Sequence, residues 1–248
     1  MDKTLLKGLQ VLEALARSTR PRGVSDLAKE LDLARSNMHR TLRTLVEAGL
    51  VAQDAETGLY ACTLKLFELG SGIPIRSDVA GLADPIMAAL SDETGETVHL
   101  SALEGGDVIY LHKIDSTHPV RAYTKVGGRA PAYCVATGKA LLAWQPESYL
   151  DRYEGVLNPF TQQTLADLGA LRAELQEVRR QGFAVNRGEW RDSVCGVAAP
   201  VFGVGGRPVA AIGLSGPDSR LTAERLAQFA HRITAAARDL TQKMGCRI

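Results

Sequence analysis

Ser25-Asp-Leu-Ala-Lys-Glu-Leu-Asp-Leu-Ala-Arg-Ser-Asn-Met-His-Arg-Thr-Leu-Arg-Thr-Leu45 spells two short helices joined by a tight turn. Ser25 reads as an N-cap whose hydroxyl accepts from an orphan amide of a first helix with Leu27, Ala28 and Leu31 on its inner face. Leu33 and Ala34 make the turn. Ser36 reads as the cap of a second helix, in which Met38, Leu42, Leu45 and Val46 form one apolar stripe. The outward set is then Asn37, His39, Arg40, Thr41, Arg43 and Thr44, with Arg35 just ahead of the cap. These side-chain types hydrogen-bond base edges and phosphates.

Helical pairs with serine caps are common, so the charge around this one matters. From Arg17 to Arg43 the cations Arg17, Arg20, Arg22, Lys29, Arg35, Arg40 and Arg43 face only Asp26, Glu30 and Asp32, whereas the whole chain carries a net charge of +1. Positive charge placed locally on a near-neutral protein points to a discrete nucleic-acid contact rather than bulk binding.

The flanks complete a winged helix-turn-helix. Gly49 ends the second helix as a C-cap glycine. Leu50 to Gln53 and Leu59 to Cys62 read as two strands around the turn Asp54-Ala-Glu-Thr-Gly58, whose acids argue against deep phosphate contact at the tip. Ahead of the pair, Leu5, Leu9, Leu12 and Ala16 predict an amphipathic helix that roofs the small core. A unit of roughly sixty residues buries only a marginal core and usually gains stability from a partner.

The chain has 248 residues, 45% hydrophobic and 23% charged, the composition of an ordinary globular protein with room for one small and one medium domain. No apolar run approaches the roughly 20 residues of a membrane span, and Asp2 and Lys3 before an amphipathic helix do not read as a signal peptide. A cytoplasmic location without membrane partners is expected. Cys62, Cys134, Cys195 and Cys246 lack the paired spacing of a zinc site or disulfide framework. They read as reduced thiols, with redox sensing as the sharper alternative.

The join between domains falls near Thr63 to Arg76, where Leu64, Leu66, Phe67 and Leu69 start a linking helix that Gly70-Ser-Gly72 and Pro74 interrupt. Val79, Leu82, Ile86 and Leu90 follow at helical spacing. Pro85 either kinks that helix or, with Asp84 as N-cap, opens its second part. A hairpin is expected from Val98 to Leu103 and Val108 to Ile114, then a third strand near Val120 to Val126. Helices are predicted at Thr137 to Trp144, Pro146 to Tyr153 and Leu165 to Gln181, the last stopped by Gly182. Strands at Val194 to Phe202 and Pro208 to Ser215 join through Gly203-Val-Gly-Gly206. Thr222 caps a final helix carrying Leu226, Phe229, Ile233, Ala237 and Leu240. The pattern is that of an α+β domain, a mostly antiparallel sheet with helices packed on it.

Several separated motifs now carry a resemblance: the helix-turn-helix with its preceding Leu5-Leu-Lys-Gly-Leu-Gln-Val-Leu-Glu13 helix, Gly127-Gly-Arg-Ala-Pro131, Ala136-Thr-Gly-Lys-Ala140, Val185-Asn-Arg-Gly-Glu189, Ala199-Pro200 and Leu214-Ser-Gly-Pro217. In that order, over nearly the whole chain, they resemble the IclR family of bacterial transcription regulators. The resemblance implies two domains: a mostly α winged helix-turn-helix (residues 1–63), joined by a linker helix (64–76) to a GAF-like α+β effector-binding domain (77–248). It also implies a homodimer or homotetramer, a palindromic double-stranded operator, and repression controlled by a small-molecule effector, with no metal or cofactor.

Ligand contact carries over by similarity to Ala130, Ala136, Thr137, Asn186, Gly196, Gly213 and Ser215, with Gly138 inside the same motif and Cys195 as a neighbour. Chemistry adds that Thr137 reads as the cap of a helix start whose free amides favour an anion, such as a carboxylate. Lys139 in that first turn is either simply solvated or part of anion attraction. Asn186, Gly196 and Gly213 depart from acid-binding members, which supply a carboxylate, cysteine or serine, so a roomier pocket is expected. Tyr123 and Tyr133 either stack an aromatic acid or fill core.

Enzyme readings fare poorly. Ala136-Thr-Gly-Lys-Ala140 is no phosphate loop, because Tyr133 stands where the first glycine belongs and Ala140 replaces the magnesium-binding hydroxyl. No G-x-G-x-x-G after a strand, G-x-S-x-G elbow or H-E-x-x-H occurs. The rivals are a winged-helix methyltransferase, which lacks its glycine-rich cofactor loop, a GAF-like sensor without a DNA role, and a cysteine-based redox regulator.

Overall fold

The computed structural model describes residues 3–71, 74–203 and 205–246, with backbone alone at 71 and 74–78. Its contacts divide the chain into two compact units, residues 1–74 and 75–248.

In the first unit, α1 (Lys3–Arg17), α2 (Val24–Glu30) and α3 (Arg35–Glu47) precede a ribbon of β1 (Val51–Gln53) and β2 (Tyr60–Cys62), and α4 (Lys65–Ser71) follows. The ribbon is antiparallel, and Arg22 adds a bridge to Tyr60. Its core gathers Val11, Ala14 and Leu15 of α1 with Leu27, Ala28, Met38, Leu42, Leu45, Val51 and Tyr60. That corrects the inner face of α1. Leu5 and Leu9 are exposed, Ala16 faces solvent, Leu12 is half-buried, and Val46 of α3 is at the surface.

Both serine caps are also corrected. The N-cap of α2 is Gly23 and that of α3 is Ala34, neither making a side-chain cap bond. Ser25 and Ser36 sit one residue inside the helices, because Gly23 and Ala34 already hold extended backbone and begin the ladders through their carbonyls. Gly49 ends α3 at φ 72° as its sequence position demands.

The second unit begins with α5 (Pro74–Thr94), continuous through Pro85. Asp84 caps nothing there; its carboxylate pairs with His112 Nε2 at 2.7 Å. Pro74 opens the helix, Leu82 is partly exposed, and Val79, Ala83, Ile86, Met87 and Leu90 face inward. The interrupting Gly72 lies outside the described residues, as does Val204 of the later turn.

Six strands form one antiparallel sheet: β3 (Thr97–Glu104), β4 (Asp107–Ile114), β5 (Arg129–Pro131), β6 (Ala184–Arg187), β7 (Val194–Phe202) and β8 (Pro208–Pro217), in spatial order β5-β4-β3-β8-β7-β6. The strand expected at Val120 to Val126 is irregular chain instead. Pairing with β4 starts only where Gly127 N donates to Tyr110 O, and β5 follows it. β6 is an addition that its four residues gave no alternation to reveal.

The two sheet faces differ in side-chain size. On β7 and β8, Val197, Ala199, Val201, Ile212 and Leu214 pack beneath α5 and α9 (Ala223–Lys243), whereas Gly196, Ala198, Ala211, Gly213 and Ser215 occupy the alternate positions. That second face admits α6 (Ala136–Leu142), all of whose residues are buried. A Cβ on Gly213 would stand 2.9 Å from Thr137 Cγ2, and one on Gly138 would collide with the Ala132 carbonyl. Outside α6 lie α7 (Glu147–Leu150) and α8 (Leu168–Gln181), the latter capped by Asp167 Oδ1 accepting from Ala170 N and ended by Gly182 at φ 84°. Thr222 caps α9 through Arg225 N. A winged helix-turn-helix unit followed by an α+β unit is the anticipated fold class.

Candidate functional site

Two sites belong to two units. In the first, α3 presents Arg35, Ser36, His39, Arg40, Arg43 and Thr44 exposed, and Asn37 and Thr41 half-exposed. Arg35 Nη2 donates to the Ser25 hydroxyl, which gives Ser25 a positioning place in this face rather than a capping one. Arg40 Nη2 donates to Asn37 Oδ1 at 3.1 Å, and Thr44 Oγ1 to Arg40 O. His39, Arg40, Arg43 and Val46 with Gln53 and Tyr60 of the ribbon line a groove of about 850 Å³, open to solvent.

The charge surplus is narrower than composition implied. Arg22 is held by Asp26 and by Glu30 at 2.5 Å, and these partners push its pKa up. Arg17 pairs with Glu13 and Arg43 with Glu47. Among the described residues, Arg20, Lys29, Arg35 and Arg40 have no carboxylate partner. Asp54 at the wing tip accepts from Glu56 N, Thr57 N and the Thr57 hydroxyl, which hold its carboxyl below the usual range. That acid shapes the turn.

In the second unit a cavity opens between the small-residue sheet face, the start of α6 and two loops, enclosing about 480 Å³ including solvent at its mouth. Of the expected effector residues, Ala136, Asn186, Gly196 and Ser215 line it; Ala130, Thr137, Gly138, Cys195 and Gly213 do not. Thr137 is one residue inside α6, whose N-cap is Val135, and its hydroxyl is buried without a partner, so it caps nothing. The roominess at Gly213 is taken up by Thr137 and Ala198. Gly196 does border open space, although an added Cβ there would approach Leu214 O to 2.6 Å.

Asn186 is committed internally: Nδ2 donates to Val194 O at 3.1 Å and Oδ1 accepts from Glu189 N at 2.9 Å. Lys139 is neither solvated nor facing an anion site. It is completely buried, 2.8 Å from Glu189 Oε1 and 2.9 Å from Glu174 Oε1. Tyr133 is core, its hydroxyl donating to Asn158 O, whereas Tyr123 is 70% exposed and lines the cavity.

Sequence reasoning missed His99, Tyr110, Thr124, Trp190 and Arg191, which also line it. Strand alternation could have placed His99 beside Ser215; nothing local marks Arg191. His99 Nε2 lies 3.2 Å from Ser215 Oγ, its ring edge-on to Tyr110, and burial lowers its pKa to about 4. The imidazole is therefore neutral. All four cysteines are free, and burial raises the thiol pKa of Cys62, Cys195 and Cys134, the last to about 12. Thiols held protonated are poor oxidation sensors. No metal-binding cluster and no helix apolar enough to cross a membrane occur among the described residues.

Comparison with known proteins agrees with both units. Residues 4–55 match the IclR helix-turn-helix domain, and residues 75–242 match the bacterial transcriptional regulator IclR C-terminal family. The chain is 36% identical to the HTH-type transcriptional regulator KdgR of Escherichia coli K12 over 98% of its length and 92% of that protein's. It is 30% identical to the transcriptional repressor IclR of the same organism, covering 98% and 90% respectively. The crystal structure of the Thermotoga maritima IclR superimposes with a TM-score of 0.78 at 27% identity, covering 99% of this chain and 100% of that one. The helix pair and the α+β domain stand in the order and over the extent that the two family matches require, the fold is that of the Thermotoga maritima structure, and the chain belongs to the IclR family of DNA-binding transcriptional regulators.

Proposed function

We propose that the chain is a ligand-responsive repressor: α3 reads a palindromic operator from a homodimer or homotetramer, and the second unit's cavity takes a small carboxylate. The observation that carries the reading is the cavity itself, largely apolar, with a few polar residues and Arg191 among those that line it. The named repressor among its relatives supports the sign of regulation. Arg35, Asn37, His39, Arg40, Thr41, Arg43 and Thr44 contact DNA, with Ser25 and Ser36 supporting them.

The chain acts as a binder, not an enzyme. His99 and Ser215 make a hydrogen-bonded pair, but among the described residues no carboxylate orients the imidazole, and its lowered pKa makes it a feeble base. A regulator that reads chromosomal DNA works in the cytoplasm. Its effector acts by binding two arrangements of the protein unequally, and couplings of about 1–3 kcal/mol change operator affinity roughly 5- to 150-fold.

The test is fluorescence anisotropy on the DNA upstream of its own gene, with and without a panel of small carboxylates. Salt-sensitive binding to a symmetric site, relieved by one acid, is the expected result. Absence of operator binding overturns the regulator reading, and an operator affinity that no small molecule changes overturns the effector mechanism.

A further inference from the structure

Resting on the reading of α3 as the element that meets the operator, the hydrogen bonds on its outer face bear on which base it selects. The arginines of this helix pair are held in different ways. Arg22 is spent on Asp26 and Glu30, and Arg43 Nε lies 3.2 Å from Glu47 Oε1. Arg35 leans on the Ser25 hydroxyl and is not among the residues lining the groove between α3 and the ribbon. Arg40, in the second turn of α3, does line it, and its partner is the neutral Asn37 Oδ1 at 3.1 Å.

A neutral acceptor orients a guanidinium without cancelling its charge, whereas a carboxylate partner must be displaced and then faces the phosphates. Arg40 gives one N–H to Asn37, which leaves the rest of the fork for a two-bond contact. Guanine, with O6 and N7, is the base whose major-groove edge offers two acceptors to such a fork.

The same bond takes Asn37 out of independent reading. A carboxamide reads adenine by accepting from N6 through its oxygen while donating to N7 through its nitrogen. At Asn37 the guanidinium already stands at Oδ1, and Nδ2 is the donor left to reach DNA. Thr44, one turn further on, spends its hydroxyl proton on Arg40 O at 3.1 Å. It therefore adds no donor beside the fork.

We infer that Arg40 selects a guanine in each half-site and that Asn37 is its positioning residue rather than an adenine reader.

The test is selection by the full chain from a duplex library with a randomised core, followed by anisotropy titration of the enriched sequence and its single-base variants. Replacing one guanine per half-site by adenine should cost about 5- to 150-fold in affinity. 7-Deazaguanine, which lacks the N7 acceptor, should cost a smaller part of that factor. Arg40→Ala should remove the penalty at that position and keep those elsewhere. Asn37→Ala should blunt the same guanine preference by about fivefold, the worth of one hydrogen bond. Asn37→Asp keeps an acceptor for the guanidinium but cannot donate to adenine N7. It should retain the guanine preference while its charge weakens all sequences alike.

A guanine preference left whole in Arg40→Ala or in Asn37→Ala overturns the inference, as does loss of an adenine preference at a different position in Asn37→Asp. If the library yields no enriched sequence, the operator reading itself has failed, and the inference with it.

Discussion

Lys139 Nζ and Glu189 Oε1 lie 2.8 Å apart across fifty residues of sequence, the lysine wholly buried in α6 and the glutamate in the loop before β7. Glu174 of α8 is the second carboxylate on the same ammonium, which thus ties together α6, α8 and the loop before β7. Burial raises the Glu189 pKa while Lys139 opposes that rise. The carboxylate therefore depends on its lysine.

Lys139→Met leaves that carboxylate uncompensated and should destabilise the protein by about 3–5 kcal/mol, the usual result of removing one partner from a buried pair. Lys139→Met combined with Glu189→Gln should cost less than the two single changes added. Urea unfolding of the three variants measures both.

His99 sets a pH dependence. Its folded pKa of about 4 lies below the ordinary 6.5, so between those values the unfolded chain binds the extra proton. Its contribution is complete above pH 6.5 and is lost as pH falls toward 4. Wild type should lose up to about 3 kcal/mol more than His99→Gln over that window, as read by denaturant midpoints at several pH values.

The cap corrections make a paired test. Asp167→Ala removes a side-chain cap and should cost about 1 kcal/mol, whereas Ser36→Ala should stay within about 0.5 kcal/mol. Thermal unfolding of both, referred to wild type, separates a cap from a residue merely near a helix start.

Two glycines should respond with opposite signs. Gly138→Ala drives a methyl into the Ala132 carbonyl and should destabilise by about 1–3 kcal/mol. Gly81→Ala, within α5 with open space around it, should stabilise by about 0.5–1 kcal/mol. Chemical denaturation of each variant decides.

On the DNA side, Arg40 has no carboxylate partner among the described residues, and Arg43 already pairs with Glu47. Arg40→Ala should weaken operator binding by about 1–3 kcal/mol if it reads a base, or reduce the salt slope by about 0.9 if it holds a phosphate. Arg43→Ala should lose less. Anisotropy titrations at several salt concentrations distinguish these outcomes.

The sequence by itself determined what depends on neighbours along the chain. The order of α2, α3 and the wing follows from apolar spacing. Gly49 and Gly182 end helices because the left-handed backbone there favours glycine, and Thr222 caps α9. Even local signals misled where two residues competed: Gly23 and Ala34 adopted the extended cap backbone, displacing Ser25 and Ser36 inward.

Only the tertiary structure decided what depends on distant pairing. The spatial order β5-β4-β3-β8-β7-β6 sets Tyr110 of β4 and the loop before β7 at one cavity. The alternation of small and branched residues on β7 and β8 was visible in sequence, yet which face receives α6 was not. Lys139 shows the limit most plainly. A lysine in a helical first turn carries no local mark of burial, because the carboxylates that make burial tolerable are brought to it only by folding.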